Sequence, residues 1–131
     1  MAHVLDASAL MAYFEKEPGY EKVQTLLAQA AGGERTLLLS TVNWGEVYYV
    51  TYRTHGPAQA ERIAGILDTF PIEVVAVTVE LAKQAALLKA LHGLPYADCF
   101  AAALAKSRKA ALLTTDKDFK PLAEQIKVVW L

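Results

Sequence analysis

The sequence predicts an α/β protein: a three-layer α/β/α sandwich built on a mostly parallel sheet of four or five strands. Two observations carry this. The strand-like runs, such as Thr36-Leu37-Leu38-Leu39-Ser40, are short and continuously apolar, as strands covered on both faces are. Between successive runs lie helical stretches bounded by caps and breakers, and right-handed crossovers place such helices on both faces of a sheet. With 131 residues the chain is read as one domain, 1–131, large enough to bury about two thirds of its unfolded surface.

In order, Val4-Leu5 forms a strand that ends on Asp6, and Ser8 is a candidate cap for a helix running to about Lys16. Pro18-Gly19 breaks the chain before a second helix, 20–31, which Gly32-Gly33 ends. The second strand, 36–40, leads into a helix over 41–55, and Gly56-Pro57 separates it from another over 58–69. Pro71 introduces a third strand, 72–77, and Thr78 caps the helix that reaches His92. Pro95 suits the first turn of a helix from Tyr96 to about Lys109, whose alanines permit close packing. A fourth strand, 110–114, a short helical segment over 119–125 and a last strand, 128–130, complete the pattern.

Composition narrows the function classes. A 54% hydrophobic and 21% charged chain is an ordinary globular one, and a net charge of −1 lacks the overall footprint of a strongly basic nucleic-acid binder. A polyanionic substrate therefore needs local help. No apolar run approaches the roughly 20 residues of a membrane span, and no basic segment with a long apolar stretch marks a signal peptide. Cys99, the single cysteine, sits inside an apolar helix and reads as a reduced, buried small hydrophobe, which fits a cytoplasmic protein.

The chemistry lies in the placement of acids. All strands of a parallel sheet end at one edge, so Asp6 and Asp116, which follow the first and fourth strands, both arrive there. Glu46 lies six residues past Ser40, about 9 Å along its helix, and Asp98 opens the helix that feeds the fourth strand. Both begin at the same edge. Each acid taken singly has a bland reading, as a helix cap or as a surface partner, for instance Glu46 with Arg53. Four elements delivering an acid to one edge weaken that reading. Carboxylates about 4 Å apart repel by around 4 kcal/mol at an effective dielectric of 20, which protons or a cation must relieve. Oxygen donors without Cys or His suit Mg²⁺ or Mn²⁺ better than Zn²⁺, and such an ion supports phosphodiester hydrolysis. His3, His55 and His92 are not in ligand spacing.

The segments V-L-D-A-S-A-L at 4–10, S-T-V-N-W-G-E-V at 40–47, Y-A-D-C-F-A-A-A-L-A at 96–105 and L-L-T-T-D-K-D-F at 112–119 resemble those of PIN-domain nucleases, most nearly the VapC-type toxins of prokaryotic toxin–antitoxin pairs. The resemblance covers essentially the whole chain. It implies a PIN-like fold and a metal-dependent ribonuclease whose acids match Asp6, Glu46, Asp98 and Asp116. Asp6 and Asp98 are then the principal ligands of Mg²⁺ or Mn²⁺, with Glu46 and Asp116 completing the site directly or through water. Ser8 and Thr114 match supporting hydroxyls, and Asn43 matches a polar neighbour or an ordinary first-turn residue. Asp118 is placed either to support a second ion or to cap the short helix. A homodimer, an RNA substrate and a cognate antitoxin covering the site follow from the same resemblance, with Met11-Tyr13-Phe14 and Trp44, Tyr48, Tyr49 and Tyr52 as either docking surface or core. Lys106, Arg108 and Lys117, with Lys109 and Lys120, are either RNA-phosphate contacts or a solvated face.

Two enzyme alternatives fit the residues less well. A phospho-receiver domain has adjacent acids after its first strand, where Leu5 and Ala7 flank Asp6, and a haloacid-dehalogenase-type phosphatase has D-x-D where this chain has Asp6-Ala7-Ser8. A catalytically silent module that binds RNA or antitoxin remains open on sequence alone.

Overall fold

The computed structural model describes residues 1–131. Its elements are β1 (Ala2–Leu5), α1 (Ala7–Phe14), α2 (Tyr20–Ala31), β2 (Thr36–Ser40), α3 (Thr41–His55), α4 (Pro57–Thr69), β3 (Glu73–Val75), α5 (Val79–His92), α6 (Tyr96–Arg108), β4 (Ala111–Thr114), a 3₁₀ turn (Lys117–Leu122) and β5 (Val128–Trp130). The sheet has five strands in the order β3-β2-β1-β4-β5, and every neighbouring pair is parallel. The α/β/α architecture is therefore present, with a wholly parallel sheet.

Strand alternation divides the core into two layers. Val4, Leu38 and Leu112 point to the face covered by α5 and α6, where Leu81, Ala85, Leu88 and the alanine run 101–103 pack. Their chain neighbours Leu5, Leu37, Leu39 and Leu113 point to the opposite face, against Leu10 of α1, Val23 and Leu27 of α2 and Ile63 and Leu67 of α4. This two-residue period is the pleat of a strand buried on both sides. Helix α3 belongs to both layers, because Val42 packs with the first and Trp44 and Val47 with the second. It thus lies across the carboxyl edge of the sheet.

Several boundaries depart from expectation for local reasons. Helix α1 starts two residues earlier, because the Asp6 carboxylate, not Ser8, accepts from the Ala9 N–H at 2.9 Å and caps it. It stops at Phe14, before Lys16 with its left-handed φ of 51°. The third strand is cut to Glu73–Val75 because its pairing with β2 ends at Ser40↔Val75. The segment expected as a helix over 119–125 is a 3₁₀ turn containing Pro121, whose ring supplies no N–H for a longer helix. Gly45 faces open space: a Cβ there would meet nothing within 4 Å, so close packing does not account for it.

Candidate metal centre

Asp6 sits one residue beyond the central strand β1 and is 2% exposed. Both of its oxygens accept hydrogen bonds. Oδ1 accepts from the Ser8 hydroxyl at 2.7 Å and from the Ala9 N–H at 2.9 Å, while Oδ2 accepts from the Thr114 hydroxyl at 2.5 Å. Each hydroxyl also accepts a backbone N–H: Thr115 donates to Ser8 at 3.0 Å and Asp116 donates to Thr114 at 2.9 Å. The hydroxyl protons of Ser8 and Thr114 are thus both committed to Asp6, and strands β1 and β4 are tied together at their ends. Burial raises the Asp6 pKa, while the bonds from Thr114, Ser8 and Ala9 oppose the rise.

Asn43 positions the second acid. It is fully buried at the start of α3, where Ser40 caps the helix and donates its own hydroxyl proton to Asn43 Oδ1 at 2.6 Å. Asn43 Nδ2 then donates to Glu46 at 3.3 Å and to the carbonyl of Ala97 at 3.1 Å. One side chain therefore fixes Glu46 and joins α3 to the first turn of α6. The Glu46 pKa is raised, first by burial and then by the charges of Asp6 and Asp116, against the Asn43 bond. Glu46 is turned toward the acids, and it forms no ion pair with Arg53.

Asp98 is the outlier. It lies in the first turn of α6, 7% exposed, and its Oδ2 is buried with no hydrogen-bond partner. Other acids crowd it: one oxygen each of Asp98, Asp116 and Asp118 lie within 4.8 Å of one another. Burial, followed by the charges of Asp116, Asp6 and Glu46, pushes its pKa up to about 7. Asp116 also performs the cap foreseen for it, accepting from the Asp118 N–H at 2.9 Å. The tightest triad is therefore Asp98, Asp116 and Asp118, with Asp6 and Glu46 set beside it.

Other expected site residues fall elsewhere. Lys117 is exposed next to Asp116, but Lys106 and Arg108 lie eight and ten residues beyond Asp98, about 12 and 15 Å along α6. Arg108 is paired with Glu73 at 3.4 Å and Lys106 bonds Gln125 at 3.3 Å. His3 is buried in β1, whereas His55 pairs with Glu15 on the surface, and Cys99 is buried. Met11, Tyr13, Phe14 and Trp44 pack against the core, Tyr48 is half-buried, and Tyr49 and Tyr52 are exposed. The buried Ser40 hydroxyl was not singled out from sequence. Its signal was present in the S-x-x-N spacing ahead of a helix.

A family model for the PIN domain matches residues 3–125. The chain belongs to the PIN domain family. Among solved structures, this PIN domain is similar to VapBC2 of Rickettsia felis, crystallised with a DNA fragment from its promoter, at a TM-score of 0.77 and 18% identity over 100% of this chain and 99% of that one. VapBC-1 of nontypeable Haemophilus influenzae gives a TM-score of 0.73 at 19% identity, covering 99% and 98% of the two chains. VapC20 of Mycobacterium tuberculosis, a toxin that cleaves the sarcin–ricin loop, gives 0.70 at 18% identity, covering 91% and 93%. At these identities the likeness is one of fold. No curated protein matches the PIN domain significantly by sequence. No helix is long and apolar enough to cross a membrane.

Proposed function

We propose that this PIN domain is a divalent-metal-dependent endoribonuclease, the toxin of a type II toxin–antitoxin pair. The observation that carries the metal is Asp98: a buried carboxylate oxygen without a donor, among acids only, is an arrangement that a cation completes. The donors are all carboxylate oxygens, which fits Mg²⁺ or Mn²⁺. Asp6 and Asp98 would hold the ion, with Glu46 and Asp116 direct or through water and Asp118 available to a second ion. A bound ion of this kind polarises a phosphoryl oxygen and lowers the pKa of a coordinated water.

The chain's own groups prepare that chemistry. Ser8 and Thr114 aim Asp6 and favour its ionised form against burial by donating to both its oxygens. Asn43 holds Glu46 in place while leaving its second oxygen free of any protein donor. Asp98, with a pKa of about 7, exchanges a proton for a cation near neutrality. Lys117, exposed and next to Asp116 in the chain, is the expected lysine that would meet an incoming phosphate. A cognate antitoxin is supported by neighbours crystallised as VapBC, and a homodimer is proposed with it.

The test compares wild type with Asp6→Asn and Asp98→Asn on RNA, with Mg²⁺, Mn²⁺ or chelator. Cleavage that needs the metal and falls at least about 100-fold in both variants is expected, on the scale of losing a principal electrostatic group. Equal cleavage by all three proteins, or cleavage undiminished in chelator, defeats the mechanism. Binding of RNA without any turnover would favour the silent module.

A further inference from the structure

The acid pocket repels the polyanion it is proposed to cut, and the chain's net charge of −1 offers no general attraction. The flank of α3 that carries Glu46 supplies what is missing. On a helix, Tyr49 and Arg53 stand three and seven residues beyond Glu46, rotated by only about 60° and 20° from it and displaced by about 4.5 and 10.5 Å along the axis. They continue the Glu46 face away from the pocket. Tyr49 is 47% exposed, a large ring left open to solvent, and the Arg53 guanidinium lies 5.1 Å from its centroid. Arg53 takes part in neither of the chain's ion pairs, so its charge is uncommitted. The opposite flank differs, since Trp44 and Tyr48 stack on each other and Tyr48 hydrogen-bonds Glu61 of α4.

We propose that Tyr49 and Arg53 form a substrate arm of the active site, the Tyr49 ring stacking on an unpaired RNA base and the Arg53 guanidinium holding a backbone phosphate next to the metal pocket. An exposed aromatic ring beside a free cation is the pairing by which proteins grip single strands, and here it is continuous with an acid of the pocket. The arm explains how an acidic protein holds an acidic polymer. It rests on the ribonuclease reading above, and its test separates the two.

Purified Tyr49→Ala, Tyr49→Phe, Arg53→Gln and wild type are compared on a fluorescent single-stranded RNA oligonucleotide of mixed sequence. Cleavage is measured with Mn²⁺ across a salt series, and binding is measured by anisotropy in chelator. Tyr49→Ala is expected to raise KM about 10-fold or more with kcat little changed, while Tyr49→Phe, which keeps the ring, stays near wild type. Arg53→Gln is expected to flatten the slope of log KM against log salt by about 0.7, one phosphate contact on a single strand. Unchanged KM and salt slope in Tyr49→Ala and Arg53→Gln, while wild type cleaves, overturns the arm and leaves the ribonuclease reading standing. If wild type cleaves nothing, the ribonuclease reading fails and anisotropy decides the arm: weaker binding by both variants retains it, and equal binding, including none, overturns it. Loss of affinity for a protein partner with RNA handling intact would likewise overturn it.

Discussion

Two buried carboxylates face the same pocket from different walls. Asp6, on the strand wall, has three donors on its two oxygens, and these oppose the rise that burial imposes on its pKa. Asp98, on the helix wall, has a buried oxygen with no donor and only acids near it, so without a cation it holds a proton near neutral pH. The strand wall thus supplies donors to both oxygens of its acid, while the helix wall leaves one oxygen of its acid without any. The difference teaches where ligand binding and folding are coupled. A cation bound there would let Asp98 ionise, whereas Asp6 already has donors from the chain.

The largest expected effect reverses sign between the walls. The folded pKa of Asp98 lies above its unfolded value, so between about pH 4 and pH 7 the folded state binds more protons, and stability falls as pH rises through that window. A rise from 3.8 to about 7 corresponds to up to about 4 kcal/mol. In chelator, the melting temperature should decline from pH 4.5 to 7.5, and saturating Mn²⁺ should restore it at the upper end. Asp98→Asn should flatten that decline and melt above wild type at pH 7.5 in chelator, and a melting temperature independent of both pH and metal would erase the contrast. Thr114→Val should act in the opposite sense. It deletes a charge-assisted bond to Asp6 and the acceptor for the Asp116 N–H, and denaturant unfolding should show a loss of about 2 kcal/mol whether or not metal is present. Smallest is the far end of α6, where Arg108→Ala, which breaks only an exposed pair with Glu73, should change unfolding free energy by less than about 0.5 kcal/mol and leave cleavage unaltered.

The contrast also marks how far sequence reading reached. The strands were visible because Val4-Leu5, 36–40 and 110–114 are continuously apolar, and parallel pairing then put Asp6 and Asp116 at one edge. Strand order was not visible, since each strand is equally apolar on both sides and periodicity carries no information about its neighbours. The resemblance marked Ser8 and Thr114 as supports for the acids, but that both donate to Asp6 depends on β1 lying beside β4. Asp118 stayed ambiguous for a related reason. A 3₁₀ turn rather than a regular helix after Asp116 leaves it beside Asp98, a difference set by Pro121. For Lys106 and Arg108 the length of α6 decides their distance from Asp98, and that length was already readable. What the sequence did not reveal was which side chains surround them. Tyr49 and Arg53 were singled out only as a docking or pairing candidate, because exposure on a helix flank is a tertiary property.

The bond between Thr114 and Asp6 joins positions 108 apart, and it ties β1, in the middle of the sheet, to β4. The pairing of β1 with β4 is therefore the contact most distant along the chain in the sheet, the class that closes late and slowly. A ribosome must release residues through Asp116 before Asp6 acquires its Thr114 donor and before Asp116 can join Asp98. Nascent and truncated chains shorter than this carry three of the four aligned acids yet have no assembled pocket. The acid pocket is therefore a late product of synthesis, assembled only once Asp116 and the strand before it can join Asp6 and Asp98.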